Sequence, residues 1–166
     1  MPPPTNYFKL NIDAAMDATN HRAGIGVVLR NSLGFPVLAC SIPSHFSDVL
    51  LGEALAVRAG LNLVLQYGYR NLVVESDCLE LINLLTGPSN VAQTYVQDIV
   101  TDISVLGGQA QDLSFCFSPR SANSVAHSLA RRAMTCSRAV IWPISSLWLI
   151  QLCNLDAVVA PVLSNE

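Results

Sequence analysis

Apolar and polar residues alternate from Tyr7 to Ala15, with Phe8, Leu10, Ile12 and Ala14 on one face and Lys9, Asn11 and Asp13 on the other. A period of two predicts a half-buried strand that carries Asp13 on its polar face. Ile25 to Arg30 and Val37 to Ser41 are rich in Val, Leu and Ile and are separated by the turn-forming Asn31-Ser32-Leu33-Gly34, so three strands in antiparallel succession are expected. From Asp48 to Tyr67 the apolar spacing becomes helical, with Ser47 as candidate N-cap and Gly68 as the stop.

Leu72-Val73-Val74, between Asn71 and Asp77, reads as a short strand. Following a helix, it implies a βαβ crossover and a parallel pairing. Helices are expected over Cys78 to Leu85, ending at Thr86-Gly87-Pro88, and over Tyr95 to Leu106, ending at Gly107-Gly108. A strand over Leu113 to Phe117 and a helix over Asn123 to Met134 complete the pattern. The order predicts an α/β fold with helices packed on a mixed five-stranded sheet, three antiparallel strands and then two parallel ones.

At 166 residues and 51% hydrophobic, the chain suits one well-cored domain. Residues 1–6 read as a proline-rich linker, 7–135 as the domain and 136–166 as an apolar tail; a start within a proline linker suggests descent from a longer chain. The tail from Ala139 to Leu152 is the one stretch that suggests a membrane, but Pro143, Ser145, Ser146 and Gln151 interrupt it below spanning length, so no membrane partner is expected. Five scattered cysteines, Cys40, Cys78, Cys116, Cys136 and Cys153, form no C-x-x-C pair, which argues against a disulfide framework or a zinc site and for a reducing intracellular compartment. The N-terminus lacks the basic flank and apolar run of a secretory signal. One lysine and eight arginines against twelve carboxylates leave no broad basic face, so nucleic-acid binding would depend on metal and on local arginines.

Three carboxylates hold the candidate chemistry. Glu53 has apolar helical neighbours at Val49, Leu50, Ala56 and Val57 and therefore faces the core. A buried carboxylate requires a cation, a hydrogen-bond network or a proton; the alternative is a side chain that reaches out of the helix or pairs with Arg58. Asp77, in Asp77-Cys78-Leu79-Glu80, satisfies a capping box and taken alone reads as a helix start. Asp13 alone reads as a solvated strand residue. Joined by βαβ topology, which brings strand ends and crossover helix together, the three can converge. Clustered hard oxygen ligands are what two-metal phosphodiester chemistry needs.

The segments Lys9-Leu10-Asn11-Ile12-Asp13-Ala14-Ala15, Gly24 to Arg30, Glu53-Ala54-Leu55-Ala56 with Gly60-Leu61, Val74-Glu75-Ser76-Asp77, and Arg120-Ser121-Ala122-Asn123-Ser124-Val125-Ala126-His127-Ser128-Leu129-Ala130 together resemble the plant, retroelement-related ribonuclease H-like domain of the type-1 family, and Pro143 to Asp156 resembles its tail. The resemblance implies a ribonuclease H-like fold with helices on both sheet faces. It also implies a monomeric hydrolase that cuts the RNA strand of an RNA–DNA hybrid, with Asp13 bridging two Mg²⁺ ions and Glu53 and Asp77 completing the metal site.

The chain departs from that pattern in several places. His127 stands where catalytic relatives hold a fourth aspartate; imidazole suits Mn²⁺ better than Mg²⁺, and the alternative is a histidine that packs within its helix. This departure keeps open a second reading, a nucleic-acid-binding domain with weakened cleavage. Val49 and Leu50 replace polar substrate contacts, and Ala14 replaces a glycine. Arg120, Asn123 and Arg22 are the substrate-contact candidates, while Arg131-Arg132 complete a helix end. Ile141, Trp142, Leu147, Trp148 and Leu149 leave a third reading, in which the tail is a protein interface.

Overall fold

The computed structural model describes residues 1–88 and 95–159, with backbone alone at 157–159; residues 160–166 of the apolar tail lie outside it. Strands β1 (Phe8–Asp17), β2 (Arg22–Arg30) and β3 (Pro36–Ser44) form an antiparallel meander. They are followed by helix α1 (Val49–Gln66), strand β4 (Asn71–Ser76), helix α2 (Leu79–Thr86), helix α3 (Gln97–Gly107) and strand β5 (Asp112–Phe117). A 3₁₀ turn at Arg120–Ala122 leads into helix α4 (Ser124–Ala133), a two-residue strand β6 (Val140–Ile141) and helix α5 (Leu147–Val159).

The sheet has six strands in the order β5-β4-β1-β2-β3-β6, one more than expected. The added strand is β6, whose Val140 and Ile141 pair with Ser41 and Cys40; two residues are too short for a periodic signal in the sequence. β4, reached through α1, runs parallel to β1, and β5, reached through α2 and α3, runs parallel to β4.

The alternation of β2 explains the layers. Ile25, Val27 and Leu29 join the core beneath α1, with Leu10 and Ile12 of β1. Gly24, Gly26 and Val28 face α4 instead: a Cβ on Gly26 would stand 2.0 Å from the Ala126 carbonyl oxygen, and one on Gly24 would stand 2.4 Å from that of Ala130. The strand expected from Ile25 to Arg30 begins at Arg22 and takes in Gly24. Gly24 and Gly26 are strand residues that let a helix backbone lie directly on the sheet.

α1 is capped by Asp48, not Ser47: its carboxylate accepts the Leu51 N–H at 2.8 Å, and Tyr95 donates to the same side chain at 2.6 Å. The helix stops at Gly68, where φ is +89°. α1 is also the one helix among the described residues with the length and hydropathy of a membrane span, and its buried face, from Leu50 to Leu65, is the centre of the main core.

The described residues of the tail are built into the domain. Leu149 and Cys153 of α5 pack on Val125, Ala126 and Leu129 of α4, with Trp142 and Trp148 alongside. Trp142 Nε1 donates to Ser41 Oγ at 2.8 Å, and that hydroxyl donates to the Leu129 carbonyl at 2.6 Å. Arg132 lies 3.6 Å from the Trp148 ring centroid, a cation–π contact. Pro3, assigned to the linker by sequence, is buried.

Candidate metal centre

Asp13 lies near the middle of β1, opposite Gly26, and Asp77 follows the last residue of β4. Glu53 enters from the first turns of α1. One carboxylate oxygen from each of the three residues lies within 4.8 Å of the others. Asp13 and Glu53 are 4% and 3% exposed, and Asp77 is half-buried.

Each local alternative for these residues gives way to the site. Arg58 is paired with Asp102 at 2.7 Å and leaves Glu53 to the cluster. Asp77 does not cap α2; the N-cap is Cys78, without a side-chain cap bond, and the Cys78 N–H is satisfied by Ser76 Oγ at 3.1 Å. Asp13 is not solvated. Lys9, Asn11 and Asp13, read as the polar face of a half-buried strand, are 9%, 2% and 4% exposed: Asn123 and His127 of α4 meet Asn11 and Asp13, and Lys9 meets Glu75 and the Met1 carbonyl.

The electrostatics are unbalanced. The Glu53 carboxyl is pushed up to about 9, first by burial and then by the Asp13 carboxylate, although the Ala14 N–H donates to it at 3.2 Å and Ser76 reaches its second oxygen at 3.5 Å. Asp77 is raised by burial and by Asp13, against the opposing charges of Arg120 and His127. Three acids at this spacing need a proton or a cation among them. An all-oxygen, partly open donor set is the kind hard divalent ions take, so the residues present fit such an ion.

His127 Nδ1 stands 2.7 Å from Asp13 Oδ2, so the histidine points at the cluster and not along its helix. Arg120 lies close enough for its charge to lower the Asp77 carboxyl. Arg22 is elsewhere. It pairs with Asp17 on the face of β1 that bears Asp13, four residues further on and therefore about 13 Å away, and its guanidinium reaches the Met134 carbonyl at the end of α4 at 3.5 Å.

Asn123 is 2% exposed, and both ends of its amide are engaged: Nδ2 donates to the Ile12 carbonyl at 2.9 Å, and Oδ1 accepts from Asn11 at 3.3 Å. In this arrangement it ties α4 to β1 and does not present itself to a substrate. Asn11 also donates to Glu75 at 3.0 Å, and Glu75 pairs with Lys9 at 3.0 Å. This polar chain beneath Asp13 was missed in the sequence, where Lys9 and Asn11 read as solvent-facing; the available signal was three polar residues on one face of a strand flanked by parallel and antiparallel neighbours.

A mixed sheet in this order, with α1 and α4 on opposite faces and acids at β1, α1 and the end of β4, defines a ribonuclease H-like domain. The chain belongs to the reverse transcriptase-like family, whose model matches residues 11–133. Among solved structures it resembles the RNase H1 of the halophilic archaeon Halobacterium salinarum at 21% identity and a TM-score of 0.71, covering 78% of this chain and 98% of that one. It also resembles the N-terminal RNase H domain of a Mycobacterium tuberculosis protein (18%, TM-score 0.69, 78% and 94% covered). A third similar structure is LC11-RNase H1 in complex with an RNA/DNA hybrid (19%, TM-score 0.69, 77% and 96% covered). A sequence search of curated proteins finds no match.

Proposed function

We propose that this domain is a divalent-metal-dependent endonuclease that cleaves the RNA strand of RNA–DNA hybrids. The observation that carries the reading is the convergence of Asp13, Glu53 and Asp77 within 4.8 Å on a ribonuclease H-like fold. Mg²⁺ or Mn²⁺, held by these three carboxylates, would supply Lewis acidity at the scissile phosphodiester and activate water.

The chain's own residues do the rest. Asp13, which meets His127, would be the central ligand, and Glu53, whose carboxyl is pushed up to about 9, would give up its proton on binding a cation. His127 fixes the orientation of Asp13. Arg120, whose charge bears on Asp77, would meet a phosphate, and Arg22 would meet the backbone further along β1. With little positive charge beyond these, affinity for the hybrid should be modest and fall with salt. The five cysteines are all free, which suits a reducing intracellular compartment, and the domain is read as a monomer.

One observation favours a second reading, a hybrid-binding domain with weakened turnover: His127 occupies an oxygen of the central ligand. A labelled hybrid incubated with the purified chain in Mg²⁺ or Mn²⁺ decides. Cleavage that disappears in Asp13→Asn supports the nuclease. Binding without metal-dependent cleavage gives the second reading.

A further inference from the structure

α4 carries the two side chains that grip β1 at the site, Asn123 at its N-cap and His127 one turn in. What holds the N-terminal end of α4 from behind is Asp156, near the end of α5. Its Oδ1 accepts from Ser124 Oγ, at the first residue of α4, at 2.6 Å. Its Oδ2 accepts from the Arg30 guanidinium, at the end of β2, also at 2.6 Å. The Asp156 side chain is 8% exposed and that of Arg30 is 14% exposed, so the pair is largely withdrawn from water. Arg30 Nε is buried without any partner among the described residues, which leaves Asp156 as the only side chain there bonded to this cation.

A carboxylate bonded to both a strand end and a helix start fixes one relative to the other. Here the strand is β2, which pairs with β1 through the register Asp13↔Gly26, and the helix is the one whose His127 meets Asp13. The apolar contacts of Leu149 and Cys153 against α4 hold α5 in place but are non-directional; they do not specify how α4 slides along the sheet. The two charge-assisted bonds do, together with the Ser41–Leu129 and Asn123–Ile12 hydrogen bonds that tie α4 to β3 and β1, and Gly24 and Gly26 seat α4 directly on the β2 backbone.

We infer that Asp156, through Ser124 and Arg30, is a positioning residue for the metal centre, and that α5 is an integral part of the site's geometry. The inference rests on the site assigned above, but its first test does not require turnover. Asp156→Asn exposes Arg30 to an uncompensated burial and risks folding, so the informative variants are Ser124→Ala and Ser124→Thr in the full chain. The readout is the ¹⁵N shifts of the His127 imidazole, with melting temperature as control. Ser124→Ala should move those shifts while the melting temperature stays within a few degrees, and Ser124→Thr, which keeps the hydroxyl, should restore them. Mn²⁺ affinity should fall roughly tenfold in Ser124→Ala, the scale of losing a partner that orients a ligand. Unmoved His127 shifts in Ser124→Ala would overturn the inference, and so would a shift that Ser124→Thr fails to reverse. Absence of cleavage by the wild-type chain, with His127 still responding, would instead count against the nuclease reading alone.

Discussion

His127 Nδ1 and Asp13 Oδ2 stand 2.7 Å apart, one on α4 and one on β1, and this contact joins a nitrogen donor to an otherwise all-carboxylate centre. A ring nitrogen that donates to Asp13 leaves that residue one fewer free oxygen for a hard cation. The contact also holds the carboxylate in one rotamer, as an outer partner of a metal ligand does.

If His127 limits the site, His127→Asp should raise Mg²⁺-supported cleavage about tenfold and narrow the preference for Mn²⁺. Initial rates on a labelled hybrid in each metal provide the measurement. Equal rates in variant and wild type would mean that His127 is not limiting.

Glu53 makes the metal-free chain sensitive to pH. Its carboxyl rises from the ordinary 4.5 to about 9 on folding, so the folded chain binds a proton that the unfolded chain releases. Stability is therefore full below about pH 4.5 and declines as pH rises toward 9, and Asp77 adds a contribution of the same sign. Melting temperatures in EDTA across that range should fall with pH. Glu53→Gln should flatten the fall, and Mn²⁺ should reverse it most strongly at the alkaline end.

Gly26→Ala tests the seat of α4. The added methyl would stand 2.0 Å from the Ala126 carbonyl oxygen and 2.4 Å from the Ala130 nitrogen, both backbone atoms that cannot rotate away. Urea denaturation should show a loss of about 1–3 kcal/mol or more, the range of overpacking in a tight core. Cleavage should fall further than stability explains, because the displaced helix carries His127.

Leu149→Ala tests whether the tail is structural. Leu149 is fully buried against α4, so its truncation should cost roughly 2–5 kcal/mol in the same denaturation experiment. A cost below about 1 kcal/mol, the range of a surface change, would leave the tail free to serve as an interface.

Much of the fold was legible because it depends on local periodicity. Alternation over Tyr7 to Ala15 and helical spacing from Asp48 to Tyr67 each report burial of one face, and burial is what builds β1 and α1. The tail was harder. Two residues in β6 and a helix apolar on most sides in α5 carry no period that distinguishes packed structure from an exposed apolar stretch.

Taken alone, the sequence determined the element order, the crossover that makes the sheet mixed, and the candidacy of Asp13, Glu53, Asp77 and His127, since residue type and spacing along the chain suffice for these. Only the tertiary structure decided that Asp77 joins the cluster instead of capping α2, that Asn123 is engaged inside while Arg22 lies apart from the cluster, that Asn11 and Glu75 underlie Asp13, and that Asp156 reaches both Arg30 and Ser124. These are contacts between residues far apart in the chain, set by how helices seat on the sheet, and no local pattern encodes which of two polar partners a side chain will meet.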